Sequence, residues 1–146
     1  MLVDAEISAI VPVSDVDKAV DFYGGVLGLE LQVRRDDLSK NREAEFRAGD
    51  GTLVVYEIVA AGQSKGTLAA FRVADLESVV AGLRERGVAF EEYNLPDLKT
   101  ENAIATIGDL LASWARDPDG NIIAFDRGLS NRLLLGLFYA YSKTER

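Results

Sequence analysis

A chain of 146 residues, 48% hydrophobic and 27% charged, has the size and composition of one folded domain with a sizeable core. Its net charge of −8 argues against nucleic acid as a partner and favours a cationic ligand wherever charge matters. The lack of cysteine excludes disulfides, thiolate zinc sites and thiol nucleophiles, and the lack of histidine removes the commonest nitrogen ligand.

The opening MLVDAEISAIVPV has no basic region ahead of an apolar core, so no signal peptide and a cytoplasmic address are expected. The longest apolar stretch, Leu133 to Ala140, is far too short to span a membrane. In chain order, Ile7 to Asp15 read as an extended run ending at a helix cap, Asp15. A helix follows over Val16 to Leu27, with Val16, Ala19, Val20, Tyr23 and Leu27 at helical spacing. Gly28 stops it, and a strand over Leu29 to Arg34 comes next. Ala44 to Ala48 and Thr52 to Glu57 then form a hairpin about Gly49-Asp50-Gly51.

The pattern then repeats. Leu68 to Asp75 is a second extended run ending at a cap, and the helix Leu76 to Arg86 stops at Gly87. A strand is expected over Val88 to Tyr93, then a longer connection from Leu95 to Gly108, for which a lid is one option the residues leave open. Leu110 to Arg116 and Ile122 to Phe125 form the closing hairpin about Asp117-Pro118-Asp119-Gly120-Asn121. The predicted fold is α+β: a single domain, 1–128, of two βαβββ modules, 6–58 and 67–127. Residues 129–146 form a C-terminal helical extension, capped at Ser130, with Leu134, Leu137, Phe138 and Tyr141 on one apolar stripe.

Three segments in order, VPVSDVDKAVDFYGGVLGLEL, FRVADLESVVAGLRERGVAF and WARDPDGNIIAF, resemble the vicinal oxygen chelate superfamily. That superfamily groups glyoxalases, bleomycin-resistance proteins and extradiol dioxygenases. The resemblance covers about residues 6 to 127 and implies two modules whose sheets curl into a mixed-sheet cup around a ligand. It also implies a homodimer. In metal-dependent members, His, Glu or Gln from the first and last strand of each module hold an ion. The matching positions here are Ser8, Val55, Leu68 and Ala124, none of which ligates strongly. Their immediate neighbours are no better, so no metal and no other cofactor is expected. An oxygen-only site at Glu57 or Asp126 would lack further carboxylates.

Period-two alternation places Ser8, Ile10 and Pro12 on the concave face, with Leu53, Val55 and Glu57 from the last strand of the first module. In the second module it places Leu68, Ala70 and Arg72 with Ile122, Ala124 and Asp126. The wall is mostly apolar with a few polar groups, which suits an organic ligand held by burial. Arg72 would bind an anionic group or pair with Glu57 or Asp126. Trp114 is a candidate for stacking on a ligand, with packing as the alternative; Tyr56 and Tyr93 are candidates for lining the pocket, with core packing favoured for Tyr56.

The leading functional reading is a metal-free, non-catalytic protein that binds a small, largely apolar organic molecule, with cationic character favoured. A metal-independent lyase or isomerase of the glyoxalase type, using Glu57 or a tyrosine as acid or base, is the second reading. A scaffold or regulatory dimer with a filled cup is the third.

Overall fold

The computed structural model describes residues 1–37 and 42–127; the expected helical extension at 129–146 lies outside the described residues. The chain forms two compact units, Met1–Gly62 and Gln63–Arg146. The fold class is α+β, with one sheet of four strands and one of six.

The first unit runs β1 (Ser8–Val13), α1 (Val16–Ala19) continued by a π-helical stretch (Val20–Val26), β2 (Glu30–Arg35), β3 (Glu43–Ala48) and β4 (Gly51–Glu57). The sheet order is β1-β4-β3-β2, so the first strand lies parallel to the last. Asp15 caps α1 as expected, its carboxylate accepting from the Lys18 N–H at 3.2 Å. The π stretch closes with the Leu27 N–H on the Phe22 carbonyl, and Gly28 then takes φ +77. Val11, Val13, Leu53, Val55, Ala44 and Phe46 of the sheet are buried, as are Val16, Ala19 and Tyr23 of the helix. The Tyr23 and Phe46 rings lie 6.3 Å apart. Burying side chains of this size contributes about 1.5–3 kcal/mol each.

The second unit runs β5 (Thr67–Arg72), α2 (Leu76–Glu85), β6 (Asn94–Leu95), β7 (Leu98–Glu101), β8 (Ile104–Ile107), β9 (Leu110–Arg116) and β10 (Ile122–Arg127). Its order is β5-β10-β9-β8-β7-β6, again with the first strand parallel to the last. Asp75 caps α2 by accepting from the Ser78 N–H and hydroxyl. At the far end Val88 N–H reaches the Leu83 carbonyl and Gly87 N–H the Arg84 carbonyl, the paired bonds of a Schellman stop.

One expectation is corrected here. Val88 to Tyr93 is not a strand: it touches the sheet through a single bridge, Phe90 to Ala115, and a bond from Glu91 N–H to the Trp114 carbonyl. The edge of β9 is divided, because β8 occupies it over Leu110 to Ala112. The longer connection runs from Leu95 to Gly108. It folds as β7 and β8, turning at Asn102 and Ala103 with φ +52 and +70, as a tight hairpin of positive φ requires.

Candidate ligand-binding face

Strand register assigns the faces, since directly paired residues point to the same side of a sheet. In the first unit Val11 pairs with Val55 and Val55 with Ala44, placing all three on the buried, helix-covered side. The opposite face is therefore built from three rows. They are Pro12, Tyr56, Glu43 and Arg35; Ile10, Val54, Glu45 and Val33; and Ser8, Thr52, Arg47 and Glu30.

Ser8 and Ile10 lie on this open face as expected, with Ile10 52% exposed. Leu53, Val55 and Glu57 do not; they point the other way, into or beside the helix-covered core. The physical cause is that β4 reads Thr-Leu-Val-Val-Tyr, apolar on both faces, so alternation alone cannot assign its sides. Val54 and Tyr56 stand where Val55 and Glu57 were expected. Tyr56, for which core packing was favoured over pocket lining, is half-buried on the open face beside Pro12.

This face has an apolar half on β1 and β4 and a charged half on β2 and β3. The charged half is internally paired: Arg35 binds Glu43 at 2.6 Å and Glu45 at 3.2 Å, and Arg47 binds Glu30 at 2.6 Å. The Arg47 guanidinium, with help from Gln32, holds the Glu30 carboxyl below the usual carboxylate range. Three carboxylates against two guanidiniums leave the half net negative.

Glu57 lies apart from that face. Its Oε2 accepts from the Val16 N–H at 3.0 Å and from Arg42 at 3.3 Å. Arg42 also binds Asp17 and Asp36, each at 3.0 Å, while Arg34 pairs with the same two carboxylates. These guanidiniums hold Asp17 and Asp36 below the usual carboxylate range, Arg34 acting most strongly on each. The cluster ties the first turn of α1 to the ends of β2, β3 and β4.

In the second unit Ala70 pairs with Ala124 and Arg72 with Asp126, so these four share a face as expected. Arg72 Nε donates to Asp126 Oδ1 at 3.1 Å, one of the two carboxylates expected as its partner. Ala124 also pairs with Trp114. Trp114, Ile122 and Ala124 are fully buried, packed with Leu98, Ala105, Leu110 and Ala112 and flanked by Tyr93, Leu95 and Ile107. Tyr93 meets Trp114 edge-on at 5.8 Å. The long connection, folded as sheet, thus supplies side chains that fill this face. Leu68 is half-buried and Ala70 exposed on β5.

The residues present do not fit the metal that the fold family uses. Ser8, Leu68, Ala124 and, by register, Val54 or Tyr56 offer hydroxyl and hydrocarbon where carboxylate or imidazole is needed. The nearby carboxylates Glu57 and Asp126 are held by structural partners. Among the described residues no group of three or more Asp, Glu, His or Cys is arranged to hold an ion.

The paired modules, each with its first strand parallel to its last, have the fold shared by glyoxalases and bleomycin-resistance proteins. The chain belongs to the glyoxalase/bleomycin resistance protein/dioxygenase superfamily, whose family model matches residues 7–125. It is similar to TnmS3, an antibiotic binding protein from Streptomyces sp. CB03234, at 27% identity and TM-score 0.64, covering 88% of this chain and 99% of that one. A glyoxalase/bleomycin resistance protein from the same Streptomyces is 28% identical, with TM-score 0.59 and coverage of 80% and 95%. The glyoxalase family protein from Enterococcus faecalis, at 18% identity and TM-score 0.63 over 86% and 99%, shares the fold. No curated protein matches the chain.

Proposed function

We propose that the protein binds a largely apolar organic molecule, with cationic ones preferred, and does no chemistry on it. The observation that carries this reading is the open face of the first sheet. Ile10, Pro12, Val54 and Tyr56 form an apolar platform beside a net-negative, internally paired row of charges. Such a surface holds a ligand by burial and orients it with few polar contacts. The antibiotic-binding relative at 27% identity supports an antibiotic-like ligand.

The acid–base alternative draws no support from Glu57, whose carboxylate is engaged by a helix N–H and a guanidinium on the far side of the sheet. The reading includes a metal-free state and a homodimer. The scaffold alternative is favoured by one observation, the filled face around Trp114 in the second unit.

A thermal-shift and calorimetric screen of the full chain against bleomycin, apolar polyketide antibiotics and uncharged analogues tests the proposal. Stabilisation by a drug without added metal, recovery of the drug unaltered, and weakened binding in Tyr56→Ala are expected. A drug recovered chemically changed, or no stabilisation by any of them, overturns it.

A further inference from the structure

The sequence holds two aspartates followed directly by glycine, Asp50-Gly51 and Asp119-Gly120, and each aspartate lies in the turn of a hairpin. This dipeptide carries a reactivity of its own. The backbone nitrogen that follows an aspartate lies within reach of its side-chain carbon, and glycine has no Cβ to hinder the approach. The fold treats the two pairs differently.

Asp119-Gly120 is framed by hydrogen bonds. The buried Asp117 accepts at Oδ1 from the N–H groups of Asp119 and Asn121, both at 2.9 Å, and at Oδ2 from the Asn121 amide at 2.9 Å. The Gly120 N–H donates to the Asp117 carbonyl at 2.9 Å, and the Gly120 carbonyl accepts from Arg116 at 3.2 Å. Asp119 and Gly120 are half-buried within this frame. Asp50-Gly51 has no such frame. Gly49, Asp50 and Gly51 are all exposed, and nothing lies within 4 Å of where a Gly49 side chain would start. The Asp50 carboxylate accepts no hydrogen bond among the described residues; its charge is felt at Arg47, whose guanidinium is committed to Glu30 at 2.6 Å. Gly51 faces Ala48 as the last pair of the β3–β4 ladder, where a ladder frays at least cost.

We infer that Asp50 is a modification site, converting spontaneously to isoaspartate in the folded protein while Asp119 is protected. The Gly51 nitrogen bonds to Cγ of Asp50, and its proton leaves with the carboxyl O–H as water. Water then opens the cyclic imide at either of its carbonyls. Attack at Cγ restores aspartate. Attack at the former backbone carbonyl instead routes the chain through Cβ and Cγ and leaves a free α-carboxylate. No atom is gained or lost overall, and no co-reactant besides water is needed. The extra main-chain carbon does not fit the tight turn that Gly49 and Asp50 make between paired Ala48 and Gly51, so the tip of the hairpin opens.

Incubation of the full chain at neutral pH and body temperature tests this. Trypsin releases the two turns in separate peptides, 48–65 and 117–127. Isoaspartate in each is measured by electron-transfer fragmentation, and by methyl transfer from S-adenosylmethionine with an isoaspartate-specific methyltransferase. Conversion at Asp50 is expected to run about tenfold or more faster than at Asp119, the cost of breaking one or two of the hydrogen bonds that hold the second pair. In urea, where neither turn is folded, the two rates should converge. Asp50→Ser should abolish the signal in 48–65. The inference is overturned by equal or faster conversion at Asp119 in the folded chain, by a difference that persists in urea, or by absence of isoaspartate at position 50.

Discussion

The Glu57 carboxylate accepts a hydrogen bond from the backbone N–H of Val16 at 3.0 Å, although the two residues are 41 positions apart in sequence. The last strand of the first unit thereby caps the helix that follows its first strand. The contact places a negative charge where the first turn has unsatisfied N–H groups and the positive end of the helix dipole. It gives Glu57 a structural role without any ligand.

Glu57→Gln keeps an acceptor for Val16 but removes the charge, and is expected to lower stability by about 1 kcal/mol. Glu57→Ala also leaves the N–H without its partner and should cost about 2 kcal/mol. Urea denaturation measures both. Drug affinity should be unaffected in Glu57→Gln, whereas an acid–base role would appear as lost turnover with stability preserved.

The cluster of Asp17, Asp36, Arg34 and Arg42 predicts acid and salt sensitivity. Hydrogen bonds from Arg34 and then Arg42 hold both aspartates below their ordinary 3.8. A depressed folded value means the stabilisation is complete above 3.8 and is lost as pH falls through the lower, folded value. The denaturation midpoint should therefore drop on going from about pH 5 to about pH 3. It should also fall as salt rises from about 0.1 to about 1 M, since these groups are exposed enough to be screened. Asp17→Asn should flatten both dependences; a variant as sensitive as the parent would remove the cluster from the explanation.

Gly24 and Gly25 are neighbours in the π-helical stretch with opposite expectations. A Cβ on Gly24 would stand 3.3 Å from Phe46 Cε1, against a buried ring with little room to yield. Gly24→Ala should destabilise by about 1 kcal/mol or more through overpacking. A Cβ on Gly25 meets nothing within 4 Å, so Gly25→Ala should be neutral or stabilising by up to about 1 kcal/mol. Thermal melts of the two variants side by side check the contrast.

Much of the fold was legible because it rests on local chemistry. Asp15 and Asp75 cap helices, Gly28 and Gly87 end them, and the two glycine-aspartate turns join antiparallel strands, all within a few residues of chain. Register was not legible where a strand is apolar on both sides, which is why Val55 and Glu57 were assigned the face that Val54 and Tyr56 occupy. The hairpin of β7 and β8 was hidden for a different reason. Its turn uses Asn102 and Ala103, and alanine is a poor advertisement for positive φ.

That parallel pairing, found in both units, also governs how the protein can be made. In the first unit Ser8 lies beside Thr52, and in the second Arg72 lies beside Asp126. No early fragment can satisfy the inner edge of its opening strand. During synthesis the first unit must wait for β4 to leave the ribosome, and the second for β10, before either sheet can close. Halted chains in which Thr52 has not yet left the ribosome should accordingly gain no protease resistance, and those long enough for Glu57 to have emerged should acquire it in one step.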